Sequence, residues 1–170
     1  LTASQELEIT LTGKDCGLEE RAPMCGVPYH ALEGYLSKLV QKGYKVAIGE
    51  QVEDPKTAKG LVKREVIRVV TPGTITNSQA LEESKNNYLM GIVYTDGIFG
   101  ISVADVSTGD YLVTEVKSER NLIDEIYKFS PSEIICNEAF YMSGIDLDDL
   151  KNRLHAVISD LDNRFFSDEF

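Results

Sequence analysis

No apolar run of about 18 residues, the length a helix needs to span a bilayer, occurs in the chain, so the sequence offers no transmembrane helix. Its first residues, Leu1-Thr2-Ala3, carry neither the basic segment nor the apolar stretch of a secretory signal. They also lack an initiator methionine, which reads as an excised piece of a longer protein. Cysteine is scarce and odd in number: Cys16, Cys25 and Cys136. In an ordinary globular composition this argues against a disulfide framework and for reduced thiols in a cytoplasmic protein. With only 2 histidines, no Ser/His/Asp set is identifiable. Gly13-Lys14 lacks both the upstream glycine and the following Ser/Thr of a phosphate-binding loop. No catalytic residues, no metal and no cofactor are therefore expected in this chain.

What is present suffices for one good core or two small ones, at 170 residues and 42% apolar. Charge divides the chain. Residues 1–74 hold ten Lys/Arg against ten Asp/Glu, whereas residues 75–170 hold seven against eighteen, so the whole net charge of −11 lies in the second part. An acidic surface repels phosphate, which assigns any nucleic-acid contact to the first part. Lys56, Lys59, Lys63, Arg64 and Arg68, set against Glu65, form the one basic cluster. Lysines on a solvated edge strand also discourage aggregation and need bind nothing, so the charge pattern alone leaves both readings open.

The chain is organised around residues 62–74, V-K-R-E-V-I-R-V-V-T-P-G-T. Alternation predicts a strand whose residue 67–70 end enters a core, stopped by Pro72 and by Gly73, which readily takes positive φ. Before it, the pattern predicts the end of a helix at residues 1–7, a strand at 9–12, and a polar loop from Lys14 to Ala22. A compact Pro/Gly segment follows at 23–30, then a helix at 31–42 and a strand at 45–52. Beyond it come a polar linker with some helix (Asn77-Ser78 as cap, Leu81 as apolar anchor) and three strands at 88–95, 98–106 and 111–116. Asp96-Gly97 and Thr108-Gly109-Asp110 supply the hairpin turns. A helix at 121–129, with Leu122, Ile123, Ile126, Tyr127 and Phe129 inward, precedes a strand at 133–136. A helix at 146–154 and a strand at 155–158 complete the pattern. The fold class is α/β (α+β): a mixed-sheet domain over 1–74, a linker over 75–86, and a domain over 87–170 with ribonuclease H-like element order. The two parts are expected to touch little and to hinge at residues 72–86.

Ribonuclease H-type nucleases need a carboxylate central on the first strand, and residues 88–95 contain none; Asp105 and Asp110 flank a turn, where Asp is favoured for turn formation. Cys16, Cys25 and His30 match no common zinc spacing.

Several motifs occur together in order: P-M-C-G-V-P-Y-H (23–30), A-I-G-E-Q-V-E-D-P (47–55), K-G (59–60), residues 62–74 as above, N-N-Y-L (86–89) and A-D-V-S-T-G-D (104–110). They resemble the bacterial MutS family of DNA mismatch-recognition proteins, most specifically over residues 23–74 and more loosely after about residue 111. The resemblance implies that 1–74 is part of a mismatch-binding domain, truncated at its N-terminus, and that the part from about 87 is the connector. It implies duplex DNA with mismatches and the protein MutL as partners, a homodimeric parent, and ATP with Mg only in a parent ATPase domain outside this chain. Carried over residue by residue, Lys14 approaches a phosphate, Met24 faces the minor groove, and Arg64, with Lys63 beside it, contacts the backbone. Pro23, Gly26, Pro28 and His30 shape the loop, while Glu50, Gln51 and Asp54 act as internal polar ties. The family's Phe-x-Glu wedge is not found in these residues and is expected upstream of Leu1.

Overall fold

The computed structural model describes residues 1–17, 19–58, 60–76 and 86–166. Lys59 and the Asn77, Ser78 and Leu81 of the expected linker lie outside the described residues. The chain opens with helix α1 (Thr2–Leu7), ended by Glu8 in the left-handed region at φ 56. The Ser4 hydroxyl then donates to the Ile9 carbonyl at 2.6 Å, and the Ile9 amide donates to the Ser4 carbonyl at 3.1 Å. Those bonds hold Ile9 against the helix end, so the expected strand at 9–12 forms later, as β1 (Thr12–Lys14). It pairs antiparallel with β2 (Ala22–Met24), a strand placed where loop was expected. In a two-stranded ribbon every strand is an edge, which is where a Pro23 without an amide is tolerated.

Helix α2 (Leu32–Gln41) follows a single 3-10 turn, Tyr29–Ala31, and buries Leu36, Ser37 and Val40. It covers β3 (Val46–Gln51), which pairs antiparallel with β4 (Arg64–Val70). The register shifts between Ile48, opposite Arg68, and Gly49, opposite Val66, leaving Ile67 as an extra residue on β4. This bulge breaks the alternation expected of a regular strand. The 67–70 end therefore does not enter the core as a unit. Val70 is buried at 1% exposure, but Val66, Ile67 and Val69 are 62%, 54% and 57% exposed.

Residues 71–74 make a tight turn, with the Thr74 amide donating to the Thr71 carbonyl at 3.1 Å and the Thr71 amide to the Thr74 hydroxyl at 3.0 Å. Gly73 does not take the expected positive φ. Its hydrogen side chain is required by space: a Cβ would stand 3.0 Å from both Glu133 Cβ and Leu89 Cβ. Ile75, at the start of the expected linker, is buried with Leu36, Val40 and Val70. Pro72 and Gly73 are buried too, so this end of the expected hinge is packed rather than free.

The second part is the regular one. Strands β5 (Tyr88–Thr95), β6 (Ile98–Asp105) and β7 (Asp110–Val116) form an antiparallel meander. Asp96 and Gly97, at φ 48 and 78, make the first turn. Helix α3 (Glu119–Phe129) is capped by Ser118, whose hydroxyl accepts from the Asn121 amide at 3.2 Å, and stops at Ser130 with φ 45. It buries Leu122 and Ile126, while Tyr127 is 37% exposed rather than inward. Strand β8 (Glu133–Cys136) lies parallel to β5. A short α4 (Glu138–Tyr141), not foreseen, follows on the cap of Asn137. Helix α5 (Leu147–Leu154) ends at His155, whose φ of 54 excludes it from a strand, and β9 (Val157–Asp160) then pairs parallel with β8. The sheet order β7-β6-β5-β8-β9 is the ribonuclease H-like order anticipated from the sequence. Its core contains Met90, Ile92, Ile101, Ile134 and Phe140. Among the described residues no helix is long and apolar enough to cross a membrane.

Cys136 is buried in this core, its thiol directed at the Ser159 carbonyl, 3.5 Å away. Burial, and secondarily the Asp160 charge, pushes its pKa up to about 11, so little thiolate forms at neutral pH. Cys16 is exposed. Iodoacetamide is expected to modify Cys16 readily in the native chain and Cys136 only after denaturation. Equal native rates, read by mass spectrometry, would contradict this placement.

Candidate nucleic-acid interface

The ribbon β1–β2 brings Lys14 and Met24 onto one small element, although they stand ten positions apart in sequence. Lys14 stands opposite Ala22, and Thr12 opposite Met24, with the Thr12 hydroxyl donating to the Met24 carbonyl at 2.9 Å. Lys14 is exposed, and the Met24 side chain is unusually so for a large apolar group, at 44%. Pro23, between them in register, faces Gly13. Arg21, which no sequence motif singles out, joins them. It is exposed and lies across Gly13, where an added Cβ would come within 3.1 Å of Arg21 Cβ. The ribbon thus carries two cations where one was expected. The only sequence signal is hairpin spacing, masked by Asp15, Glu19 and Glu20 in the same loop.

Beyond the ribbon, Gly26, Pro28 and His30 are exposed. Pro28 is extended, at φ −61 and ψ 138, and its carbonyl accepts from the Ala31 amide at 3.0 Å, which sets the turn holding His30. Gly26 has open space at its Cβ position and no positive φ.

Arg64 and Lys63 sit elsewhere, at the entrance to β4. Arg64 is exposed opposite Gln51 and has no acidic partner among the described residues. Lys63 is paired with Glu65, and its amide donates to Glu53 Oε2 at 3.1 Å. Arg68, another cation of the basic cluster, is bound by Glu33 at 3.1 Å. Of the expected polar ties only Asp54 acts as one, accepting from the Lys56 amide at 2.9 Å; Glu50 and Gln51 are exposed on the outer sheet. The structure therefore leaves Lys14 and Arg21 on the ribbon and Arg64 at the entrance to β4 without acidic partners among the described residues, as it does the exposed Lys38 on α2 and Lys56 of the basic cluster.

The second part also leaves two exposed cations, Lys117 and Arg120, without acidic partners among the described residues, but there Asp and Glu outnumber Lys and Arg eighteen to seven. Its one buried aspartate, Asp105, is committed internally: Oδ1 accepts from the Ser107 hydroxyl at 2.6 Å and the Ser107 amide at 2.9 Å, and Oδ2 from the Asn87 amide at 3.1 Å. Burial opposes its ionisation, but these hydrogen bonds outweigh it and hold the pKa below the ordinary 3.8. No group of three or more His, Cys, Asp or Glu side chains is disposed to hold a metal among the described residues.

Two family models match the chain in succession. A family model described as MutS domain I matches residues 1–79, and one described as MutS domain II matches residues 87–168. The DNA mismatch repair protein MutS of Lachnoclostridium phytofermentans is 64% identical over 169 residues, covering 99% of this chain and 18% of that protein. The protein of the same name from Acetivibrio thermocellus is 57% identical over 171 residues, covering 99% of this chain and 20% of its own length. That of Ruminiclostridium cellulolyticum is 51% identical, with 96% and 19% covered. The chain thus spans about a fifth of the length of the curated relatives it matches, 18% to 20%.

Proposed function

Because this chain belongs to the MutS family, carrying its domains I and II, we propose that its first part contacts duplex DNA through the backbone and that its second part is the connector. The observation that carries the reading is that Lys14 and Arg21 on the ribbon and Arg64 at the entrance to β4 are among the exposed cations left unneutralised on the charge-balanced part of an otherwise acidic chain. Lys14 and Arg64 approach phosphates, Met24 lies along the minor groove, and Lys63 contributes when released from Glu65. Pro23, Pro28 and His30 hold the loop. Gly26 leaves room for an approaching sugar–phosphate chain, since a methyl there would meet nothing within the protein. The whole protein recognises mispaired or looped-out bases, works as a cytoplasmic homodimer, and couples recognition to ATP-dependent recruitment of MutL. The connector supplies the MutL contact, and the chain itself is no catalyst.

Phosphate contacts position a protein without reading bases, and mismatch reading needs a wedge that exploits an easily kinked step. This chain alone is therefore expected to bind matched and G·T duplexes equally, with a dissociation constant at or above roughly 10⁻⁴ to 10⁻⁶ M at physiological salt. Fluorescence anisotropy at two salt concentrations checks it. A clear G·T preference would give Lys14, Met24, Arg64 or their neighbours a base-reading role beyond positioning. The competing reading, a protein-interaction module without DNA binding, is favoured by the net charge of −11. It would be supported by MutL capture with no anisotropy change at low salt.

A further inference from the structure

We propose that Glu133 is an anchor that locks the first part of the chain onto the five-stranded sheet, so that the two parts move as one body. Glu133 begins β8 with 2% of its surface exposed. Its backbone lies in the sheet, opposite Leu89 on one side and Val157 on the other. Nothing in that pairing calls for a carboxylate, and an apolar side chain would fill the space at lower desolvation cost. Both carboxylate oxygens are instead taken up by the first part of the chain. Oε2 accepts from the Gly73 amide at 3.1 Å, and Oε1 lies 3.0 Å from Lys45 Nζ. Lys45 reaches further, donating to the Ser159 hydroxyl on β9 at 2.9 Å.

The same joint has a second polar clasp. Asn87 donates from Nδ2 to the Pro72 carbonyl at 2.8 Å, and its Oδ1 accepts from the Ser132 hydroxyl at 2.7 Å. Gly73 fits against Leu89 and Glu133 only because it has no side chain, and Gly43 lies beside Val157. A buried carboxylate is tolerated only while its partners stay in place, which makes its interactions selective for one relative placement of the two parts. A displacement felt by β3 or by the turn at 71–74 is thereby passed directly to β8 and β9. This coupling does not depend on whether the ribbon binds DNA.

The test is ¹⁵N relaxation and amide exchange on the full 170-residue chain, wild type against Glu133→Gln and Lys45→Met. In the wild type, amides of β3–β4 and of β5–β9 should fit one rotational diffusion tensor. In each variant the two sets should require separate, shorter correlation times. The Gly73 amide should exchange about tenfold faster or more, while amides of α3 and β8 keep their protection. If Glu133→Gln does not fold, Lys45→Met carries the test, because Lys45 is 39% exposed and removes only one side of the clasp. Two tensors already in the wild type, or one tensor and an unchanged Gly73 amide in Lys45→Met, would overturn the proposal.

Discussion

Replacing Asp105 with alanine is expected to lower the unfolding free energy by about 3 kcal/mol. The carboxylate is 1% exposed and ties two segments together: the amide of Asn87 before β5, and the Ser107 amide and hydroxyl and the Thr108 amide in the turn after β6. Alanine leaves those donors without an acceptor, and an unpaired buried donor costs roughly 1–3 kcal/mol, less where water can enter. Asparagine is no remedy, because whichever way its amide is turned, an NH₂ meets a donor from Asn87 or from Ser107. Urea unfolding measures the difference.

The aspartate also predicts a pH dependence with a definite sign. Its folded-state pKa lies below the ordinary 3.8, so its contribution is fully present above that value and is lost as pH falls through the folded pKa. Between pH 5 and 2, roughly, the wild type should lose stability more steeply than Asp105→Ala. Parallel curves would show that the carboxylate's hydrogen bonds do not distinguish its ionised form. Asp105→Asn should leave DNA affinity unaltered, since the residue is remote in role from the cations.

Gly73→Val is the second large effect, again about 3 kcal/mol or somewhat less by analogy with overpacked cores. The three atoms a Cβ would meet, each at 3.0 Å, are Glu133 Cβ, Leu89 Cβ and Leu89 Cδ1. Two of these are fixed to the sheet backbone and cannot swing aside. The branched valine can be accommodated only by lifting the turn off the sheet, which also breaks the Gly73–Glu133 hydrogen bond. For a chain of this size each kcal/mol corresponds to roughly 2–4 °C in Tm. Gly34→Ala is the control: its Cβ position is open and it lies in α2, so it should be neutral or mildly stabilising. A Gly73→Val chain melting with the wild type would mean that the turn does not close tightly on the sheet.

The reasons that make Gly73 legible and easily misread are the same. Proline followed by glycine marks a stop in any sequence, but whether glycine serves φ or close approach depends on a neighbour sixty residues away, Glu133. The second part of the chain is readable because Asp96-Gly97 and Thr108-Gly109-Asp110 fix two hairpins locally, and strict alternation buries every second residue of β6. The first part is harder. Its sheets have two strands each, with outer faces exposed, so burial imposes little pattern. The bulge at Ile67 reverses the alternation midway, and Pro23 disguises β2 as loop. At the candidate interface, Lys14, Met24 and Arg64 come from motif resemblance and stand exposed. Arg21 escapes sequence reasoning because its proximity to Gly13 exists only once the ribbon is paired. The joint through Glu133 is invisible there too, because a glutamate at the start of a buried strand shows no partner in sequence.

The most direct test of the central claim is the salt dependence of duplex binding by the Lys14→Glu/Arg64→Glu chain, followed by anisotropy on a matched duplex. Each phosphate contact contributes about −0.9 to the slope of log K against log salt, so loss of both should flatten it by about 2. Affinity should fall equally for matched and G·T duplexes, while Lys117→Glu, a reversal in the acidic part, should change neither slope nor affinity. An unchanged slope in the double variant, or an equal loss in Lys117→Glu, would contradict the assignment of DNA contact to the first part of the chain.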